Sequence, residues 1–278
     1  MKVRILMITY NRAEYTRLSL ETLLATLPDY ATVTVWDNNS NPETRDVLKS
    51  LSSHPQVERV IYHDKNDRLR GPTNWFWEQT KDADFVSKVD DDCLMPAGWC
   101  ETLIEAHRDI PKAGSLGCWR FLDEDFRPEL AKRKIQQFGK HQLMRNCWVE
   151  GSGYLMKREM VDRLGPIQDT ESYPAYCIRG AALGYIHGWY YPFLFQEHMD
   201  DPRVPHSGIR NDADFLSLRP LSAETFDIKN REEWIQRLRY SAWSLQAISF
   251  DPRDHIGWRA NWRRKINKML RTRLIPRA

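Results

Sequence analysis

DFVSKVDDD, residues 84–92, is a short valine-containing apolar run that stops at three adjacent aspartates. The same arrangement recurs three times upstream. VRILMIT (Val3–Thr9) runs into Tyr10-Asn11-Arg12, TVTVWD (Thr32–Asp37) into Asn38-Asn39-Ser40, and QVERVIYH (Gln56–His63) into Asp64-Lys65-Asn66. Longer amphipathic stretches lie between these runs. Residues 15–27 place Leu18, Leu20, Leu23, Leu24 and Leu27 on one inward face before Pro28 and Asp29 end the helix. A second helix opens at Asn41-Pro42, where proline suits the first helical position, and a third spans residues 73–81. Valine- and isoleucine-rich runs alternating with helical periodicity predict repeated β-α units and a mostly parallel sheet. In such a sheet the carboxyl ends share one edge, and ligands bind in the crevice outside it. The four polar clusters are therefore expected to converge on one ligand.

Beyond Asp92 the pattern predicts helices over 96–107 and 159–164, a helix with its core at 175–183, and strands over 148–157 and 184–195. A further helix is expected over 230–250, with Trp234, Leu238, Trp243 and Leu245 spaced between charges so that it lies against the main domain. Residues 111–147 read mostly as loop. A length of 278 residues suits one α/β core with a terminal extension. The 41% hydrophobic and 28% charged fractions are those of a soluble globular chain, and no apolar run reaches the roughly 18 residues of a membrane span. MKVRILMITY is interrupted by polar residues too soon to read as a signal sequence and reads as a buried strand. Five cysteines without a C-x-x-C pair suggest neither a disulfide framework nor a zinc site, so a reducing cytoplasm is the expected compartment.

The net charge of +3 is unevenly spread. Residues 253–278 hold nine Arg or Lys against one Asp, so the chain before them is net acidic. This tail interleaves Trp258, Trp262, Ile266, Met269 and Leu270 with cations, a composition suited to peripheral contact with an anionic membrane as well as to a solvated terminal arm. Confinement of the charge to the tail argues against nucleic acid as a partner.

Three aspartates held together repel and raise one another's pKa, which a cation relieves. Hard ions such as Mg²⁺ and Mn²⁺ take oxygen ligands, and phosphate oxygens commonly complete the shell, so a diphosphate is the natural third party. The bland alternative is an exposed acidic turn capping the helix near Pro96. No G-x-G-x-x-G follows the first strand and no G-x-x-x-x-G-K-[ST] occurs anywhere, so a metal is expected in place of a glycine-rich phosphate loop.

ILMITYNR, VWDNNSNPET, the stretch from Asn66 through Gly71 to Asn74, and VDDDCLMP resemble, in order, the successive blocks of family 2 glycosyltransferases with the GT-A fold. The resemblance covers roughly Met1–Leu103 and fades afterwards. It implies an α/β fold with a mixed, mostly parallel sheet flanked by helices: a GT-A domain over 1–215, with a nucleotide-binding half at 1–103 and an acceptor and catalytic half at 104–215. A helical, basic extension would occupy 216–278. It further implies that Thr9, Tyr10 and Arg12 contact the base and ribose of a nucleotide-sugar donor, that Asp37 and Asn38 read the base, and that Asn66, Arg70 and Asn74 belong to the same site, with Arg70 facing the phosphates. Many members carry a second acid where this chain has Asn38, so the base is not assigned. Asp90 and Asp92 match the outer residues of the family's D-x-D motif, Asp90 toward ribose or metal and Asp92 toward Mn²⁺ or Mg²⁺, with Asp91 sharing either duty. His198 is implied as a later metal ligand, with His206 as the second choice and Asp200 and Asp201 placed to orient the imidazole.

Sugar transfer needs charge stabilised on the departing diphosphate and, for inversion, a base for the acceptor hydroxyl. Members of the family carry that base in the region matching PIQDTESYPAYCIRG, where Glu171 is the first candidate and Asp169 the second; no Glu-Asp pair directly precedes the helix here, so a retaining outcome stays open. GSGYLMKR (Gly151–Arg158) resembles the glycine-containing segment beneath the donor sugar, and Trp119 and Trp148 are candidates to stack on a saccharide or glycolipid acceptor. The expected function is thus a metal-dependent glycosyltransferase. The rivals are a sugar-phosphate nucleotidyltransferase, disfavoured because TYNRAEY lacks glycine, and an idle carbohydrate-binding protein, disfavoured by the intact aspartates.

Overall fold

The computed structural model describes residues 1–257 and 260. Its first half follows the expected units: β1 Val3–Thr9, α1 Ala13–Ala25, β2 Ala31–Asp37, α2 Pro42–Leu51, β3 Val57–Tyr62, α3 Arg70–Gln79 and β4 Phe85–Asp90. Local chemistry sets the boundaries. Asn41 caps α2 by accepting from the Thr44 amide at 3.1 Å, with Pro42 in the first turn. Arg12 begins α1 from the left-handed region at φ 60°, an uncommon conformation for a long side chain.

The second half holds β5 Cys93–Leu94, α4 Trp99–Asp109, β6 Ala113–Gly117, α5 Pro128–Ala131, β7 Ile135–Phe138, β8 His141–Asn146, β9 Tyr154–Lys157, α6 Arg158–Leu164, α7 Tyr173–Ala182, β10 Ile186–Tyr191 and β11 Glu197–His198. The helical extension consists of α8 Asp212–Leu218, α9 Leu221–Thr225 and α10 Arg231–Ala247.

The main sheet runs β3-β2-β1-β4-β9-β6-β10-β8-β7. Pairing is parallel from β3 to β4 and between β6 and β10, while β9 and β8 run against their neighbours. The sheet is thus mixed but mostly unidirectional, as expected. Val3, Ile5 and Met7 of β1 face a core with Leu20, Leu23, Leu48, Trp99 and Leu103, whereas Leu6 and Ile8 face one with Phe76, Trp77, Met160, Tyr176 and Trp234. Helices cover both faces, which is why the parallel strands read as continuous apolar runs.

Three expectations need correction. Residues 111–147 contain β6, α5, β7 and β8 rather than mostly loop. The expected strand over 148–157 is extended only from Tyr154, because Gly151-Ser152-Gly153 forms a loop with Gly153 at φ 64°. Trp243 does not face the domain: it is 48% exposed, while Trp234, Leu238 and Ala242 of α10 are buried. The tail residues Trp258, Trp262, Ile266, Met269 and Leu270 lie outside the described residues. Among the described residues no helix is long and apolar enough to cross a membrane.

Candidate active site

The parallel register aligns the strand ends that carry the polar clusters. Thr9 lies opposite Asp37, Asp37 opposite Tyr62, and Ile8 opposite Asp90. The turn after β4 therefore delivers Asp91 and Asp92 to the edge where β1 delivers Tyr10–Arg12. A small antiparallel pair does the rest. His198 of β11 lies opposite Cys93 of β5, and the Met199 amide donates to the Asp92 carbonyl at 2.8 Å. The Tyr15 hydroxyl donates to the Met199 carbonyl at 2.9 Å and Trp234 Nε1 to the Asp200 carbonyl at 2.7 Å, fixing this late segment against α1 and α10.

The result is a cluster of Asp92, His198 and Asp200, each offering one ligand atom within 4.8 Å of the others. His198 Nε2 is 3.7 Å from Asp92 Oδ2, and Arg120 Nη1 approaches the same nitrogen at 3.4 Å. Arg12 closes the other side. Its Nη1 donates to both Asp200 oxygens at 3.0 and 3.1 Å, and Nη2 lies 3.3 Å from Asp92 Oδ2 without an aligned hydrogen bond, a buried donor left unsatisfied.

The charges are unequal in consequence. Burial drives Asp91 up to about 7, with Arg12 opposing and Asp92 adding repulsion. Burial also opposes ionisation of Asp92, but His198 and Arg12 outweigh it and hold that carboxyl well below the usual range. Asp200 is raised by burial against the pull of Arg12. Two carboxylates and an imidazole grouped in this way are a donor set that fits a divalent cation such as Mn²⁺, which accepts both oxygen and imidazole ligands.

Other residues singled out in the sequence fall into place around this cluster. Thr9 and Thr16 hydroxyls are 2.8 Å apart, and the Tyr10 amide donates to Asp91 Oδ2 at 3.4 Å while the Tyr10 side chain stays exposed. Asp90 pairs with Lys88 and its amide donates to Ser152 Oγ at 2.9 Å; its carboxylate does not join the His198 cluster. Asp37 is fully buried, bound by Arg45 Nε at 2.8 Å and the Ser40 amide at 3.0 Å. Asn38 accepts from Trp36 Nε1 and the Asp67 amide and donates to the Arg68 carbonyl, so it shapes the loop carrying Asn66 and Arg70, both exposed.

Several candidates sit elsewhere than their expected roles require. Asn74 spends both ends of its amide on the Ile167 backbone, at 2.8 and 2.9 Å, which locks α3 to the loop before α7. Trp119 is 1% exposed, packed among Phe121, Trp189 and Phe193, and belongs to the core. Trp148 is partly buried, edge-on to His255 at 5.2 Å. His206 pairs with Glu197 at 3.0 Å and Asp201 with Arg203 at 2.7 Å, outside the His198 cluster. Glu171 is held by Arg179 Nε and Nη2 at 3.0 and 2.9 Å and by the Gln168 amide at 3.1 Å; Asp169 is exposed.

The sequence does not single out Arg45, Arg120 or Glu150, and it gives Asp200 an orienting role where the structure sets its carboxylate within 4.8 Å of the Asp92 and His198 ligand atoms. Arg120 and Glu150 meet their partners 78 and 39 residues away, so no local motif marks them, and Arg45 sits in the helix that follows Asp37. A cavity of about 990 Å³ opens between α7 and residues 248–257, but its lining, with Leu164, Pro174, Ile178 and Ile256, includes none of the clustered carboxylates.

A mostly parallel α/β sheet with a carboxylate-imidazole cluster outside its carboxyl edge defines the class of α/β proteins that bind their ligands at that edge. The chain's membership within that class follows from comparison: the profile "Glycosyl transferase family 2" matches residues 4–165, and the chain belongs to that family. It is a glycosyltransferase of GT-A architecture. Among solved structures it resembles the mannosyltransferase PcManGT from Pyrobaculum calidifontis in complex with GDP-Man and Mn²⁺, at 17% identity and TM-score 0.59 over 97% of this chain and 80% of that one. It also resembles GalNAc-T7 with UDP, GalNAc and Mn²⁺, at 13% identity and TM-score 0.55 over 71% of this chain and 44% of that one. TarS residues 1–349 of S. aureus in complex with UDP-GlcNAc align at 16% identity and TM-score 0.50 over 68% of this chain and 55% of that one. No curated protein matches the sequence.

Proposed function

We propose that this enzyme transfers a sugar from a nucleoside-diphosphate carrier to a saccharide or glycolipid acceptor, with inversion and with Mn²⁺ or Mg²⁺ held by Asp92, His198 and Asp200. The observation that carries the reading is the convergence of these three donors within 4.8 Å on the sheet edge that also presents Thr9, Tyr10 and Arg12. An ion in that position supplies positive charge beside the departing diphosphate. The donor's base and ribose lie toward Thr9, Tyr10 and the loop shaped by Asn38, and Arg70 faces the phosphates. PcManGT and GalNAc-T7 being solved with Mn²⁺ supports the same choice of ion. Residues 1–215 form the catalytic domain, and 216–278 an extension tied to it through the bond from Trp234 to Asp200. The basic end of that extension rests against an anionic membrane surface, which co-sedimentation with anionic and neutral vesicles tests.

The deciding assay incubates the protein with Mn²⁺ and a panel of nucleotide sugars and follows nucleoside diphosphate release with and without saccharide acceptors. Release that depends on metal and rises with acceptor supports the proposal. Pyrophosphate formation from a nucleoside triphosphate and a sugar phosphate would instead identify a nucleotidyltransferase.

A further inference from the structure

An inverting transfer needs one carboxylate free to take a proton; of the two candidates near α7, Asp169 lies exposed to solvent and Glu171 is engaged by Arg179. Ser172 caps the helix by accepting from the Ala175 amide, and the Tyr173 hydroxyl lies 2.8 Å from Ser115 Oγ. Glu171 already receives three donors, two of them from a guanidinium.

Glu150 is differently placed. It is the residue before Gly151-Ser152-Gly153, a loop stitched to the aspartate strand: Ser152 Oγ accepts from the Asp90 amide at 2.9 Å, and the Gly153 amide donates to the Lys88 carbonyl at 2.9 Å. Its path is fixed by Gly153, where a Cβ would lie 1.5 Å from Gln196 Oε1. The Glu150 carboxylate is partly buried and accepts from Trp189 Nε1 at 2.8 Å. Among the described residues it has no ion pair within 4 Å, unlike Asp92, Asp200, Asp201, Glu171 and Glu197, which all do. The loop it begins borders the cluster on two sides, since Ser152 binds the Asp90 amide and Gly153 packs against Gln196, two residues before His198, and the charges of Arg120 and His198 act on Glu150. Burial raises its pKa against their pull, making it a better proton acceptor than an ordinary surface glutamate.

Building on the proposed transfer reaction, we propose that Glu150, held by Trp189 and without an ion pair among the described residues, is the general base that accepts the acceptor hydroxyl proton. The hydroxyl oxygen forms a bond to the sugar's anomeric carbon as its proton passes to a Glu150 oxygen. The bond from that carbon to the diphosphate breaks, and its electron pair leaves with the diphosphate. Glu150 returns the proton to solvent after release.

The test compares wild type with Glu150→Gln, Glu150→Ala and Glu171→Gln. Glutamine keeps an acceptor for Trp189 Nε1, so Glu150→Gln is expected to fold, to bind nucleoside diphosphate with Mn²⁺ within about threefold of wild type, and to lose roughly 10²–10⁴ in kcat. Formate is expected to restore part of the turnover of Glu150→Ala, a rescue that a merely structural role would not show. A Glu150→Gln enzyme within about threefold of wild-type kcat overturns the assignment, as does a loss of turnover matched by an equal loss of nucleotide affinity. A loss of kcat in Glu171→Gln that formate rescues would move the base to Glu171. Absence of any transfer by wild type would sink the transferase reading itself and the base with it, whereas an active wild type with an indifferent Glu150→Gln sinks only the base.

Discussion

Arg12 and Asp200, 188 residues apart in sequence, meet through one guanidinium nitrogen that donates to both carboxylate oxygens at 3.0 and 3.1 Å. The same guanidinium faces Asp92 at 3.3 Å and Asp91 at 3.9 Å, so a single buried cation balances three acids. Their field raises the Arg12 pKa well above its usual value despite burial, which works the other way.

Removing that cation is expected to destabilise the metal-free protein. Breaking a buried charge pair typically costs about 3–5 kcal/mol because the partner is left unpaired. Arg12→Ala should therefore lower the thermal midpoint without metal by several degrees, and saturating Mn²⁺ should restore more of it than Mn²⁺ adds to wild type. Scanning fluorimetry with and without Mn²⁺ reads both effects; equal metal shifts in the two proteins would show that Arg12 does not balance the metal-binding acids.

Asp92 and His198 are expected to behave as ligands and His206 as a bystander. Asp92→Asn should retain the fold, lose the Mn²⁺-dependent thermal shift and turn over at under about one hundredth of the wild-type rate. His198→Ala should weaken Mn²⁺ binding by about tenfold or more in calorimetry. His206→Ala, which breaks only a rim pair with Glu197 51% exposed on the histidine side, should leave metal affinity unchanged. Equal losses in the two histidine variants would refute the ligand set.

Two buried histidines predict acid lability. Burial lowers both His107 and His187 from 6.5 to about 3. His187 Nδ1 accepts from the Ser115 amide and His107 Nε2 donates to the Leu155 carbonyl, so each ring is held neutral. Between pH 6.5 and 3 the unfolded chain binds protons that the folded chain refuses. The contribution is therefore complete above about pH 6.5 and shrinks as pH falls, by up to about 1.4 kcal/mol per pH unit for each histidine. Asp91, raised by burial to about 7, works in the opposite sense over the same range. The clean readout is consequently a difference: urea unfolding of His187→Asn should show a fall in stability from pH 7 to pH 5 smaller than wild type by about 2 kcal/mol. Identical pH slopes would contradict a neutral buried His187.

These sites show what sequence periodicity makes legible. β1 reads correctly to the residue because a parallel strand buried on both faces must be apolar throughout, and Asn41-Pro42 announces α2 through capping chemistry. The segment 111–147 was opaque for the opposite reason. Ala113–Gly117 (AGSLG) is fully buried yet small, since a Cβ on Gly114 would lie 2.7 Å from the His187 ring, and β7 at the sheet edge carries Gln136 and Gln137. Neither resembles a strand by composition. The aspartates of residues 90–92 announce a charge problem, but the partners that resolve it at Asp92, Arg12 and His198, reach it only through the fold. Glu150 is defined by an indole 39 residues away, a contact no local motif encodes.

Asn74 supplies the sharpest separation of stability from binding. Its carbonyl accepts from the Ile167 amide and its amide donates to the Ile167 carbonyl, and Ile167 is 6% exposed, so water does not readily replace either bond. A buried backbone group left without a partner costs about 1–3 kcal/mol, and Asn74→Ala strands two of them. The expected outcome is a loss of roughly 2–5 kcal/mol in equilibrium unfolding, with nucleoside diphosphate affinity in the presence of Mn²⁺ within about threefold of wild type. Asn74→Asp isolates the donor half: it keeps an acceptor for the Ile167 amide but sets a carboxylate against the Ile167 carbonyl, so it should also destabilise. A variant that unfolds normally but binds nucleotide poorly would return Asn74 to the donor site.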